Sequence, residues 1–327
     1  MAVMQTEPAS LLLDCPTDGR GEFHTLKFRA FGTVCRVDFQ LEPWAAASEF
    51  KSLILAWSAS FEEKFSRFKP DSLISRINRA AGREPVPLDD EAESLFTLID
   101  WFHWSSQGIL DPTVLPLLEL WDYRGDAPQV PSDEAVQSAL QFVGWKRVEH
   151  RNRRLYLPAP GMRIDVGGIA KEYAVDRVVS MGLAAGITRL MVDFGHDLRV
   201  AGEAPQGGPW RIGLEDPHDP GRCHAGLAVL NRAVATSGDY LRGFTAGNRR
   251  HGHILDPRTG YPVSNGCRSV TALAPTCTEA GVLSTTAFVL GADEGMDLID
   301  ERYQVEGCIV TERNIHYSSR FHEYAIE

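Results

Sequence analysis

The chain has 327 residues, 43% of them hydrophobic, 24% charged and 9% aromatic, a composition that excludes a disordered or fibrous protein. Its 33 Lys and Arg against 44 Asp and Glu leave a net charge of -11, which argues against a general affinity for nucleic acid or anionic lipid. No stretch approaches the roughly 18 apolar residues of a membrane helix, so no membrane partner is expected.

Residues 1–24 are polar and lack periodicity, and read as a flexible tail ahead of one domain over 25–327. The run Leu11 to Leu13 has no basic start, so no signal peptide is expected, and Cys15 lacks the hydrophobic region of a lipoprotein leader. None of the 6 cysteines forms a C-x-x-C pair. Neither a zinc site nor a disulfide framework is indicated, and a reducing, cytoplasmic location is expected.

Alternating apolar residues over Phe28 to Leu41, broken by Gly32, predict a strand pair. Phe50, Leu53, Ile54, Trp57, Phe61, Phe65 and Phe68 recur at helical spacing and predict one buried stripe that stops at Pro70. Further helices are predicted over Ser72 to Arg79, Asp89 to Ser106 and Asp133 to Phe142. Val148 to Leu157 reads as a strand pair interrupted by Lys146, Arg147, Arg151, Arg153 and Arg154, a basic cluster read as a solvated hairpin edge. Arg163 to Val166 predicts a short strand, and Ile169 to Met181 a helix. Leu190 to Phe194, Trp210 to Leu214, Ala225 to Val234 and Val270 to Leu273 read as strands. Helices follow over Glu279 to Leu290 and Asp293 to Arg302, then a hairpin from Cys308 to Val310 and His316 to Phe321. Helices mainly in the first half and strands mainly in the second, without strict alternation, favour an α+β fold.

The sequence has no phosphate-binding P-loop, no nucleophile elbow, no H-E-x-x-H and no G-x-G-x-x-G. Its chemistry sits in polar and glycine-rich segments at predicted strand ends and helix starts. In Asp165 to Lys171 the glycines let backbone N–H groups approach a phosphate at a helix N-terminus, with Lys171 adding a charge. The same residues would also make a plain tight turn capped by Asp165. Thr236-Ser237-Gly238 suits phosphate or flavin-edge hydrogen bonds, as it suits an ordinary turn. His253 to Gly260 gathers an imidazole, a carboxylate, a guanidinium and a hydroxyl, enough for a general base and a phosphate clamp or for a hydrogen-bonded turn.

Taken in order, these segments resemble the ApbE family, the FAD:protein FMN transferases, from about Phe28 to Leu290. The similarity runs through Phe31-Gly32-Thr33, Phe65 to Phe68, Leu110-Asp111-Pro112-Thr113, Asp165 to Asp176, Val192 to Gly202, Ala235 to Tyr240 and His253 to Gly260. It implies an ApbE-like fold that binds FAD and a Mg²⁺ ion bridging its pyrophosphate. It also implies transfer of FMN to a Thr or Ser hydroxyl of an acceptor flavoprotein, with release of AMP. On the resemblance, His253 is the proton acceptor, and Asp256 and Thr259 shape its loop. Asp165, Gly167, Gly168 and Lys171 face the flavin and pyrophosphate, Thr236 and Ser237 line the flavin pocket, and Thr33 and Asp111 help to build it. Ala170 and Thr285 are implied metal ligands.

Three positions depart from the family's pattern. Glu172 and His196 stand where it has Gly, and Gly281 stands where it has the Asp that, with Thr285, ligates the metal. A weakened Mg²⁺ site is therefore expected, with Glu279 the nearest carboxylate in sequence but on another helix face. The alternative is a catalytically impaired FAD-binding relative acting as a flavin carrier or interaction module.

Overall fold

Apolar alternation at the start of the chain produces a hairpin, β1 (Phe23–Ala30) and β2 (Thr33–Gln40). Its turn, Phe31-Gly32, has φ of 55° and 71°, the left-handed pair that a two-residue turn between twisted strands requires. The structure, a computed structural model, describes residues 23–326 apart from 124, 126, 127, 241 and 248. Nearly all of the expected tail therefore lies outside the described residues; its last positions, Phe23 and His24, instead pair with Gln40 and Phe39 as the start of β1.

The elements that follow are α1 (Trp44–Phe65), α2 (Leu73–Ala80), β3 (Val86–Pro87), α3 (Asp90–Ser105), α4 (Leu115–Trp121), α5 (Asp133–Leu140), β4 (Glu149–Arg151), β5 (Arg154–Tyr156) and α6 (Ala170–Ala184). Next come β6 (Leu190–Phe194), β7 (Asp197–Ala201), β8 (Trp210–Glu215), β9 (Cys223–Val229), β10 (Ala233–Gly238), β11 (Gly243–Ala246) and β12 (Arg249–Gly252). The chain closes with β13 (Cys267–Ala274), α7 (Cys277–Leu290), α8 (Ala292–Asp300), β14 (Glu306–Thr311), β15 (Ile315–Tyr317) and β16 (Ala325–Ile326).

An antiparallel sheet of order β1-β2-β6-β7-β10-β13-β14-β15 forms the spine. Its central strands bury both faces, and the period of two sorts their side chains. Leu190, Val192, Phe194, Ala233, Ala235, Val270 and Ala272 face the helical core with α1, α3, α6 and α7. Met191, Val234 and Leu273 face a second core closed by the small β16-β9-β8 sheet. A third apolar cluster joins α4 and α5 to Phe244 and Leu255. The α+β class stands.

Several boundaries differ from the sequence reading. The Phe50 stripe ends at Phe65, and Leu53 and Phe68 lie exposed at 52% and 70%. Ala225 to Val234 is not one strand: a turn at Asn231, φ 52°, sends β9 and β10 into different sheets. Arg163 to Val166 is not a strand either. The side chain of Asn78 donates to Ile164 O at 3.0 Å and accepts from Ile164 N–H at 2.7 Å, replacing a strand ladder. Of the basic cluster, Arg151 and Arg153 pair with Glu149 and Asp90 at the surface of the β4–β5 hairpin.

Candidate functional site

The turn into α6 is built from two of the polar segments. Asp165 donates its N–H to Pro112 O at 2.8 Å and accepts the Gly167 N–H at 3.0 Å, while Arg67 Nε lies 3.3 Å from its other oxygen. Asp111 holds Pro112 in place. Its buried carboxylate accepts the N–H of Thr113 at 2.8 Å, the N–H of Trp145 at 2.9 Å and the Thr113 hydroxyl. Gly167 and Gly168 are exposed, and Gly168 has open space where a side chain would stand. Exposed backbone here, followed by a 15-residue helix beginning at Ala170, suits an anionic ligand.

Behind that turn lies a ring of polar groups, in which Thr236 takes part through its main-chain N–H while its hydroxyl pairs with Thr271 Oγ1 at 2.8 Å. Lys171 Nζ contacts Asp197 and stands 2.9 Å from Glu172 Oε1. Asp197 Oδ1 accepts the Thr236 N–H at 3.1 Å. The next residue, Ser237, places its hydroxyl 2.8 Å from Thr285 Oγ1 and 2.9 Å from Ser284 Oγ. Thr285 is one turn beyond Gly281 on α7, hence on the same face. Glu172 packs over Gly281 and completes the ring. Burial alone would lower the Lys171 ammonium, yet Glu172 and Asp197 together raise it. Burial pushes the Glu172 carboxyl up; Lys171 offsets this and Asp197 adds to it. Burial likewise pushes the neighbouring Cys277 thiol well up.

Thr33 reaches the same end of the sheet. Gly195, in the β6–β7 turn, lies against the Thr33 side chain with no room for a Cβ. Gly195 and His196 have φ of 66° and 72°, so His196 keeps the left-handed backbone of the Gly expected there.

His253 follows β12, where a Cβ on Gly252 would lie 2.8 Å from Asp239 Cβ, two residues beyond Ser237. Its ring sits 5.7 Å from that of Tyr123. Asp256 accepts from Arg258 Nε at 2.9 Å and Nη2 at 2.8 Å, while its own carbonyl takes the N–H of Gly260 at 2.8 Å and of Thr259 at 3.2 Å. Asp256 thus closes the loop on which His253 is mounted. Trp121 secures the far end through Nε1 to Gly260 O at 2.9 Å.

The structure therefore brings Lys171, Thr236, Ser237 and Thr285 into one ring, and Asp111, Asp165, Gly167 and Gly168 into the adjoining turn. His253, Asp256 and Thr259 lie on a loop that approaches the end of β10 through Gly252 and Asp239, and Ala170 joins turn to ring. Glu172, Asp197, Ser284 and Arg67 belong to the same assembly and were missed as site residues. Asp197 lies in the Val192 to Gly202 segment and Arg67 in Phe65 to Phe68, so the motifs contained the signal; the pairing of Glu172 with Gly281 left none.

The residues present fit a hard divalent cation. Mg²⁺ takes oxygen ligands, commonly one or two carboxylates with substrate phosphates and water completing the set. Among the described residues no group of three or more His, Cys, Asp or Glu is arranged to hold a metal by itself. The ring offers instead two carboxylates and the Thr285 hydroxyl, and the buried Glu172 Oε2 has no hydrogen-bond partner. An Asp at position 281 would not simply restore a missing ligand, because a Cβ there would lie 2.6 Å from Glu172 Cγ. Glu279, the other candidate, is half-buried near Arg302 and Arg232 and lies outside the ring.

Comparison with known proteins agrees with this architecture. The ApbE family model matches residues 31–309. A FAD:protein FMN transferase of Vibrio cholerae is 30% identical over 97% of this chain and 95% of its own. One of Treponema pallidum is 30% identical over 85% of this chain and 82% of its own. Among solved structures, the flavin transferase ApbE of Vibrio cholerae superposes with a TM-score of 0.83 at 27% identity, over 93% of this chain and 99% of that one. The ApbE protein of Thermotoga maritima gives 0.84 at 33% identity, over 94% and 100%. The chain belongs to the ApbE family.

Proposed function

We propose that this protein is a FAD:protein FMN transferase, the activity for which its relatives are named. The observation that carries the reading is the ring Lys171–Asp197–Thr236–Ser237–Thr285 set directly behind the open glycine turn of α6. The exposed N-terminal turn of α6 with the Lys171 ammonium close behind it suits a pyrophosphate, and phosphoryl transfer depends on such positioning and charge neutralisation.

In this mechanism FAD lies with its pyrophosphate against Gly167, Gly168 and Lys171 and its flavin beside Thr236, Ser237 and Thr33. The hydroxyl of an acceptor Thr or Ser attacks the FMN-side phosphorus. A new P–O bond forms, the bond to the oxygen shared with the adenylate half breaks, and AMP leaves with that oxygen. His253 takes the proton of the attacking hydroxyl, held in place by the loop that Asp256 and Thr259 close. A Mg²⁺ ion held by Thr285 and the main chain at Ala170 would neutralise charge on the pyrophosphate. The cysteine pattern supports a cytoplasmic location. Among the described residues no helix is long and apolar enough to cross a membrane.

Incubation with FAD, Mg²⁺ and a flavoprotein domain bearing a target Thr tests the reading. Mass spectrometry should show the domain gaining one FMN, with one AMP released for each. Absence of FAD binding by calorimetry, or FAD binding with no AMP release across a panel of such domains, overturns it.

A further inference from the structure

We propose that Glu172 is the carboxylate ligand of the cation site, supplied from α6 in place of a side chain that α7 lacks at Gly281. The inference deepens the transferase reading and rests on it for the nature of the bound pyrophosphate.

Three observations support the assignment. First, Glu172 Cγ and Cδ lie 2.6 and 3.2 Å from where a Cβ of residue 281 would stand. Real Cβ atoms do not approach so closely, so a side chain at 281 would displace the Glu172 side chain from where it stands. The chain has Glu at 172 facing Gly at 281, the reverse of the Gly and Asp that the resemblance to the family implies at these positions. One carboxylate is kept in one small volume, and the helix that delivers it changes.

Second, Glu172 is 7% exposed, with Oε1 held 2.9 Å from Lys171 Nζ, no donor on Oε2, and its carboxyl set against that of Asp197. A carboxylate oxygen buried without a donor is costly unless something positive completes it. Third, the surroundings suit a hard cation. The Thr285 hydroxyl is one turn along α7 from Gly281. The carboxyl groups of Glu172 and Asp197 both border Lys171 Nζ, so oxygen ligands of the kind a hard cation takes are gathered there.

The close approach of Glu172 to position 281 makes the test sharp. Mn²⁺ serves as the probe, titrated into the full chain with and without FAD and followed by the loss of its free electron-paramagnetic signal. Thermal melting and FAD calorimetry accompany each variant. The parent should bind Mn²⁺, and Glu172→Gln should weaken binding by about tenfold or more, at least what is typical for losing a supporting residue around a metal. Gly281→Asp alone should melt below the parent and bind Mn²⁺ no better. The double variant Glu172→Gly with Gly281→Asp should recover both melting temperature and Mn²⁺ affinity. Binding in Glu172→Gln equal to the parent, or a folded double variant that binds FAD but not Mn²⁺, overturns the proposal, as does absence of Mn²⁺ binding by the parent. Failure of the parent to bind FAD is a separate result: it overturns the transferase reading, while the Mn²⁺ titrations without FAD still decide the role of Glu172.

Discussion

Trp121 donates its indole N–H to the carbonyl of Gly260 at 2.9 Å, across 139 residues of chain and in a fully buried setting. The same indole stacks on His251 at 5.5 Å and meets Tyr261 edge-on at 6.0 Å. The end of α4 is thereby fastened to both sides of the His253 loop. Trp121→Phe would keep most of the packing but orphan the Gly260 carbonyl. Chemical denaturation should show a loss of about 1–3 kcal/mol, the usual cost of an unsatisfied buried group, and FMN transfer should slow with it. Unchanged stability would mean that the loop holds itself through Asp256 alone.

His253→Ala should reduce FMN transfer by about 10²- to 10⁴-fold, the range of a general base. FAD affinity, measured by calorimetry, should stay close to that of the parent, because a proton acceptor acts in the transition state. Transfer at the parent rate would reduce His253 to a turn residue.

Asp176, on α6, joins its helix to the first turn of α7. Its carboxylate accepts the N–H groups of Cys277 and Thr278 at 2.9 Å each and the Thr278 hydroxyl at 2.6 Å, and pairs with Arg199 at 2.9 Å. A carboxylate capping a helix N-terminus is favourable for both the hydrogen bonds and the helix dipole. Asp176→Ala should destabilise by about 3 kcal/mol, since it removes charged bonds and leaves Arg199 without this partner. FAD affinity should also fall, because Glu172 and Thr285 sit on the two helices it joins. Equal melting temperatures for variant and parent would contradict this account.

His150 gives a pH signature away from the site. Its Nδ1 lies 2.6 Å from Asp100 and its Nε2 3.1 Å from Glu93. The Asp100 bond raises the imidazolium pKa, burial works against it, and Glu93 adds to the rise. A raised folded-state pKa contributes stability fully present below the unfolded value of about 6.5 and lost as pH climbs through the folded value. The melting-temperature gap between the parent and His150→Gln should therefore be wide at pH 5.5 and narrow by pH 8.5. A gap that does not change with pH would show that the imidazole acts only by packing.

What the amino-acid order determined by itself was whatever depends on near neighbours. Ser72 and Asp89 cap α2 and α3 where their residue types suggest, and the Phe50 to Phe65 spacing makes α1. Asp165 to Lys171 makes a glycine turn into a helix because Gly167, Gly168 and the Asp165 carboxylate that accepts the Gly167 N–H are adjacent in the chain; Asp165 does not cap the helix, whose N-cap is Ile169. Tertiary structure decided the rest. The apolar run from Ala225 to Val234 looks like one strand, since hydrophobicity alone cannot show that it crosses between two sheets. Arg163 to Val166 has strand-like residues, but Asn78, distant in sequence, takes the hydrogen bonds of Ile164. The same holds at the centre of the site. Gly281 reads along α7 as a lost carboxylate, and Glu172 along α6 as an intrusive one. Only the packing of the two helices shows that they compete for one volume, because excluded volume acts between atoms close in space, however far apart they lie in the chain.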